Sequence, residues 1–224
     1  MVFERLRLWL DPVIRPGPEA MAVDEWLLET ATQPVLRVYG WLGNWGSVGY
    51  FGHLEEARAA FPAGMEWVRR WTGGGTVDHR ADWTYTVVSP FEESLTRLKG
   101  AESYRLLHDA LAEVLRVEGI DARLSSGAEQ TGASLCFENP VSHDLMDAMQ
   151  RKLAGAGQRR TKHGLLHQGS VAAPCDATVS ETRAQRLAAR LSRHWEEVSL
   201  EPPSVDLLDR VAKRYAADAW TNRR

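Results

Sequence analysis

Alternation of apolar and polar positions predicts most of the elements in the first half of the chain. "MVFERLRLWLDP" reads as a first strand, with Glu4 and Asp11 set among its apolar residues. "GPEAMAVDEWLLETATQP" opens with Pro18, where a helix tolerates proline, and stops before Pro34, which predicts a helix over about 18–31. "VLRVYGW" alternates and places Leu36 and Val38 on one face of a strand. "WLGNWGSVGYFG" is punctuated by glycine and is a loop or a loop-flanked strand. "EWVRRW" is a short strand that runs into Gly73-Gly74-Gly75. "DWTYTVVSP" sets Trp83, Tyr85 and Val87 against Thr84, Thr86 and Val88, and ends at Pro90.

The period then changes. "AESYRLLHDALAEVLRVEG" carries Tyr104, Leu107, Leu111 and Leu115 at helical spacing and closes at Gly119. "ARLSSG", "SLCFE", "HDLM", "RKLAGAGQRR" and "LLHQGSVAAP" follow as short strands and tight connections. Thr178 with Glu181 forms a capping-box pattern that opens a helix to about 194, and "PPSVDLLDRVAKRYAADAW" supplies a last helix with Pro203 near its start. Runs of strands between two or three helices predict an α+β fold, a mixed β-sheet flanked by helices. With no repeat, low-complexity tract or long linker, residues 1–224 read as a single domain with a short helical C-terminal extension at about 178–224.

Composition narrows the class. A chain of 224 residues buries roughly 70% of its unfolded surface, so neither disulfides nor a structural metal is required. A net charge of −3 does not suggest a nucleic-acid binder. No apolar run approaches the ~20 residues of a membrane span, and the N-terminus lacks a small-residue cleavage site. With two cysteines, Cys136 and Cys175, the expectation is a reduced, cytoplasmic protein.

"RRWTGGGTVDHR" concentrates the candidate chemistry. A phosphate-binding P-loop needs G-x-x-x-x-G-K-[ST], and no lysine follows Gly75. A dinucleotide fingerprint needs G-x-G-x-x-G before a helix, and here a strand pattern follows. Two readings stay open: a glycine-rich hairpin or bulge, or bare backbone against which a ligand lies. Arg69 and Arg70, adjacent on a strand, point to opposite faces, so one could meet a buried anion, and His79 could return to the same sheet edge.

"RRWTGGGTVDH" resembles the signature of the lipoate–protein ligase and octanoyltransferase family, whose catalytic domain is shared with biotin–protein ligases. "AMAVDEWLL" resembles its N-terminal helix, "GSVGYFG" its substrate-loop strand, and "RKLAGAGQRRTKHGLLHQGSV" its lysine motif and the following strand. These motifs span roughly residues 20–175 in the family's order. The resemblance implies the biotin/lipoate protein ligase fold, a class II synthetase-like catalytic domain. Three positions depart from the family pattern: Arg80 stands where an acid usually follows the histidine, Gly52 where the loop often ends in Gln, and "DAMQ" replaces the glycine turn ahead of the lysine.

By this resemblance Gly73, Gly74 and Gly75 line a tunnel for a saturated acyl chain, in which each buried CH₂ is worth about 0.8 kcal/mol. Arg70 faces the activated carboxyl end or its adenylate, and Lys152, followed by Gly155, meets the acyl carbonyl or the adenylate phosphate. His79 and His167 lie at the substrate site. An ammonium beside a developing oxyanion is an electrostatic stabiliser. Cys136, sixteen residues before Lys152, matches the cysteine of family members that transfer acyl groups through an enzyme thioester, and a neighbouring cation would lower its pKa. Cys175 has no assigned role.

The implied activity is transfer of an octanoyl or lipoyl group from a carrier thioester, through Cys136, to a lysine of a lipoyl domain, without a cofactor. The alternatives are an ATP- and Mg-dependent lipoate–protein ligase and a non-catalytic paralogue that binds acylated carriers. The implied partners are an acyl carrier protein or lipoyl-domain donor and an apo lipoyl domain acceptor, with no nucleic acid and no membrane. His163 and His167 are four apart, but Gly164 between them argues against a helix, so no metal is assigned. "RKLAGAGQRRTK", with five basic residues and no acid, is a solvated basic face or a docking surface for acidic carrier domains. Trp41, Trp45 and Trp71 are expected to shape the acyl tunnel as well as the core.

Overall fold

The computed structural model describes residues 1–127 and 141–223. The first half runs β1 (Phe3–Leu10), α1 (Gly17–Thr30), β2 (Val35–Tyr39), β3 (Trp45–Val48), α2 (Leu54–Ala60), β4 (Glu66–Arg69), β5 (Val77–Asp78) and β6 (Trp83–Pro90). Next come α3 (Ser94–Arg97), α4 (Gly100–Val117), β7 (Arg123–Leu124), β8 (Leu145–Met146), β9 (Lys152–Thr161) and β10 (Gly164–Val171). The chain continues through α5 (Ala177–Leu191), β11 (Ser192–Glu197), α6 (Ser204–Arg210) and α7 (Asp218–Thr221), with a π-helical turn, Val211–Tyr215, between the last two helices.

Among the described residues the strands form an eight-stranded mixed sheet in the order β11-β1-β2-β6-β10-β9-β8-β7, and a small sheet in the order β4-β3-β5. In the large sheet β11, β1 and β2 are parallel and the other pairs antiparallel. The two-residue period divides the side chains between two cores. Leu36, Val38, Trp83, Tyr85 and Val87 face α4 and α5. Val35, Tyr39, Val88 and Leu166 face α1, Leu207 and Tyr215. The expected α+β class and the facing of β2 and β6 are therefore observed.

The C-terminal third differs from expectation. The cap of α5 is Asp176, whose carboxylate accepts from the Val179 N–H at 2.8 Å, so Thr178 lies inside the first turn. Aspartate is the stronger N-cap, and it places the helix start one residue before Thr178. The helix ends at Leu191, not 194, because Ser192–Glu197 pairs in parallel with β1 along its open edge. The segment from about 178 therefore contains a strand as well as helices: β11 pairs with the edge of β1, and Leu207 and Tyr215 from the last helical turns lie in the second core. The predicted last helix is broken by the π-turn, and α2 was not anticipated, since its seven residues bury only Leu54 and Ala57.

Candidate active site

The glycine triplet leaves β4 and is fixed by Arg70. The buried Arg70 guanidinium donates to the carbonyls of Gly73 (3.2 Å) and Gly75 (2.8 Å) and to Ser47 O (3.1 Å) and Oγ (2.5 Å). Gly74 has φ +94°, a backbone conformation that disfavours other residues. A Cβ on Gly49 would collide with the Gly74 carbonyl, and one on Gly157 with the Gly73 carbonyl. The loop is therefore clamped between the exit of β3 and the face of β9, while a Cβ on Gly73 would meet no atom within 4 Å.

This asymmetry yields a prediction. Gly157→Ala is expected to cost about 1–3 kcal/mol by overpacking, and Gly73→Ala less than about 0.5 kcal/mol. Thermal unfolding of the two variants checks it; equal midpoints would contradict the clamp.

Behind Arg70 runs a hydrogen-bonded chain. Ser47 Oγ lies 2.6 Å from His79 Nε2, and His79 Nδ1 lies 2.8 Å from Asp82, which also accepts from Ser170 at 2.5 Å. Arg70 can only donate, so Ser47 Oγ accepts from it, and the contacts continue from Ser47 through the His79 ring to Asp82. The His79 ring stacks on Trp41 with centroids 4.0 Å apart.

A slot opens beside this chain, with Met21, Tyr39, Trp41, Val77, Gly157 and Gln168 among its lining. Arg70, His79 and Gly155 also border it. Gln168 ties the slot to the interior: it accepts from Thr72 (2.7 Å) and donates to Asp24 (2.7 Å). Asp24 in turn accepts from Thr86 (2.8 Å) and from Arg37 (2.7 Å), a fully buried guanidinium that also donates to Asp11 (2.8 Å) and to the Ala20 carbonyl (3.0 Å).

Lys152 lies at one end of this arrangement. Its ammonium pairs with Asp144 at 2.7 Å, and both side chains are buried. The Tyr104 hydroxyl donates to Asp144 (2.5 Å) and accepts from the Ala156 N–H (2.8 Å). The Lys152 stem folds back over Gly155, whose Cβ would collide with Lys152 Cε. Gly155 thus makes room for the lysine as well as bordering the slot.

On the opposite face of the sheet, His108 and His167 are fully buried. His108 Nδ1 donates to the His143 carbonyl at 2.6 Å, and burial pulls its pKa down to about 4. Burial, with His108 nearby, holds His167 well below the usual histidine range; it bonds Gln158 (3.1 Å) and Tyr85 (3.2 Å).

Of the expected site residues, Arg70, His79 and Gly155 border the slot. Gly73, Gly74 and Gly75 are not among its lining and adjoin it through Arg70 and Gly157, and Lys152 folds over Gly155. His167 is placed elsewhere: its position on β10 turns it to the α4 side, away from the slot, where it packs 5.6 Å from the Tyr104 ring. Cys136 lies outside the described residues. Arg69, like Arg70, meets carbonyls, here those of Gly49 (2.9 Å), Gly52 (2.7 Å), Thr221 (3.0 Å) and Arg223 (2.9 Å), and so ties the C-terminal segment to the loop after β3.

Arg80 pairs with Asp78 at 2.6 Å. In "DAMQ", Asp147 accepts from the Met149 (2.8 Å) and Arg151 (2.9 Å) N–H groups, and Gln150 takes φ 61° in place of a glycine. Trp45 packs in the core, and Trp71 sits outside the slot among arginines. Among the described residues no group of three or more His, Cys, Asp or Glu side chains gathers in a form that could hold a metal.

Ser47, Thr72, Asp82 and Gln168 were missed by sequence reasoning. Their only signal was proximity to the quoted motifs, since their roles depend on contacts between distant segments.

The description "Lipoyl protein ligase A/B catalytic domain" matches residues 16–202. The chain belongs to that family. An octanoyltransferase LipM from Carboxydothermus hydrogenoformans is 34% identical over 168 residues, 71% of this chain and 62% of that protein. The LipM of Bacillus subtilis is 31% identical over 217 residues, covering 88% of this chain and 76% of that one. The chain therefore spans less than two thirds of the first of these relatives and about three quarters of the second. Among solved structures, a bi-partite lipoate protein ligase described with its E2 lipoyl domain from Thermoplasma acidophilum has a TM-score of 0.69 at 18% identity, covering 98% of this chain and 96% of that one. This likeness establishes the fold.

Proposed function

We propose that the chain is an acyltransferase of protein lipoylation, moving an octanoyl or lipoyl group from a carrier thioester to a lysine of a lipoyl domain. The observation that carries the reading is its similarity, at 31% and 34% identity, to proteins named octanoyltransferase LipM. The buried Lys152 ammonium beside Gly155 at the slot supports it.

In the first step the Cys136 thiolate attacks the acyl carbonyl. A new C–S bond forms, the carrier's C–S bond breaks, and the carrier leaves as its thiolate, which takes up the proton given up by the Cys136 thiol. Lys152 stabilises the oxyanion between these events, while the chain lies in the slot against Met21 and Trp41. In the second step the neutral amine of the acceptor lysine attacks the thioester. An amide forms, and the Cys136 thiol is released with the amine proton. No ATP is consumed. The donor is an acyl carrier protein or an acylated lipoyl domain, and the acceptor an apo lipoyl domain. Among the described residues no helix is long and apolar enough to cross a membrane.

The likeness to a lipoate protein ligase favours a second reading, an ATP- and Mg-dependent ligase in which Lys152 and Arg70 hold the acyl-adenylate. Mixing the protein with octanoyl-carrier protein without ATP, and recording the intact mass, separates the two. The expected result is an octanoyl adduct that hydroxylamine removes and that Cys136→Ala lacks. Acylation of a lipoyl domain only from free acid plus ATP overturns the transferase reading. Retention of the acylated carrier without turnover assigns the chain to a non-catalytic carrier binder.

A further inference from the structure

A second cluster of arginines lies just outside the slot. Arg159 stands on β9 two residues beyond Gly157 and four beyond Gly155, about 13 Å from Gly155 at the rise of a strand and on the same face. Its guanidinium lies 5.0 Å from the Tyr50 ring centroid and 5.1 Å from that of Trp71, the residue that leads into Thr72 and the glycine triplet. Arg223 lies 4.1 Å from the Tyr50 centroid and 5.5 Å from that of Trp220. Arg214 covers Trp71 at 4.7 Å.

Charge compensation is uneven. Arg214 pairs with Glu25 at 2.5 Å, and the same carboxylate also serves Arg210 at 3.3 Å. Among the described residues Arg159 and Arg223 have no carboxylate partner, and the buried Nε of Arg159 has no hydrogen-bond acceptor. The Arg223 and Arg159 guanidiniums hold the Tyr50 hydroxyl below the usual phenol range. Burial lowers Arg69, and the charge of Arg223 lowers it further. Like charges converging on aromatic faces, two of them with no carboxylate partner among the described residues, form a site that favours a doubly liganded anion. The alternation of β9 also explains why "QRR" is not one basic face: Arg160 turns to the other side, where it donates to Ser103 at 2.7 Å.

We propose that Arg159, Arg223 and the Tyr50 hydroxyl form an anion subsite that binds the phosphodiester of the pantetheine arm through which a carrier presents its acyl thioester. The proposal rests on the carrier-thioester reading above. The geometry suits it. The arm must be anionic at its protein end and uncharged at its thioester end. The cationic cluster and the Gly155–Lys152 end of the slot are separated along β9 by the length scale of such an arm. The exposed Phe51, in edge contact with Tyr50 at 4.8 Å, extends the surface on which the carrier rests.

The test compares octanoyl-phosphopantetheine with octanoyl-pantetheine, which lacks only the phosphate, as donors to the purified protein, reading the adduct by intact mass over time. The wild-type protein is expected to prefer the phosphorylated donor at least about ten-fold, the range of a charge-assisted hydrogen bond or two. Arg159→Gln and Arg223→Gln are expected to reduce that ratio toward one through KM for the phosphorylated donor. Equal use of both donors by the wild-type protein overturns the subsite alone. Loss of both donors in proportion in the variants assigns the arginines a structural role and overturns it as well. No adduct from either donor or from octanoyl-carrier protein sinks the transfer reading, and the subsite with it.

Discussion

Lys152→Met is expected to slow acyl-enzyme formation by about 10²–10³-fold and to lower stability by about 3–5 kcal/mol. The two effects have different origins. On the proposed transfer reading the rate falls because the ammonium, which lies beside Gly155, is the group assigned to meet the developing oxyanion. Stability falls because Asp144, fully buried and accepting from Tyr104 and the Val141 N–H, loses the counter-charge 2.7 Å away. A double variant separates them. Adding Asp144→Asn removes the orphaned charge and keeps one oxygen to accept from the Val141 N–H, while its NH₂ faces the Tyr104 hydroxyl, which can turn its proton to the Ala156 carbonyl. Thermal stability should largely return while the rate does not. Recovery of both in the double variant would mean that Lys152 acts only by neutralising Asp144. An unchanged rate in Lys152→Met would remove it from the chemistry.

How much of this was legible in the sequence depends on distance along the chain. The facing of β2 and β6 followed from a two-residue period, and α1 and α4 followed from proline, glycine and helical spacing, because such signals are local. The strand β11 did not, since what makes Ser192–Glu197 a strand is the open edge of β1, nearly two hundred residues away.

The site divides in the same way. Arg70, the glycines and Lys152 stand in motifs whose resemblance to a family could be read directly. What each does could not. Arg70 was expected at the activated carboxyl, yet its guanidinium braces the Gly73 and Gly75 carbonyls. Gly155 is required by the fold-back of Lys152, and His79 by Ser47 and Asp82. These are pairwise constraints between segments, and composition and periodicity do not record them. His167 shows the limit most plainly: one step in a strand decides which face it occupies, and its register places it among Tyr85, Tyr104 and His108.

That histidine pair sets the strongest expected pH response. His108 is neutral in the fold with a pKa of about 4, and His167 is held well below the ordinary value by burial, so both lie beneath the 6.5 of an unfolded histidine. On lowering the pH the unfolded chain takes up these protons first. The stabilisation is therefore complete above pH ~6.5 and is lost as pH falls toward 4, amounting to about 3 kcal/mol for His108 alone. The groups that face His108 are Tyr104, the His143 carbonyl, Asp144, Lys152 and His167. Asp144 and the His143 carbonyl favour its protonation, while burial and Lys152 oppose it, and burial is the largest influence. The readout is the slope of the thermal midpoint between pH 7 and 5, since His108→Phe also loses the bond to His143 and starts from a lower midpoint. That slope should flatten in His108→Phe and again in the double variant with His167→Phe; an unaltered slope would place the acid sensitivity elsewhere. The same protonation would set a new cation behind Tyr104, the side chain that fixes Asp144 and through it Lys152. Acid should thus disturb the position of the lysine before it unfolds the chain.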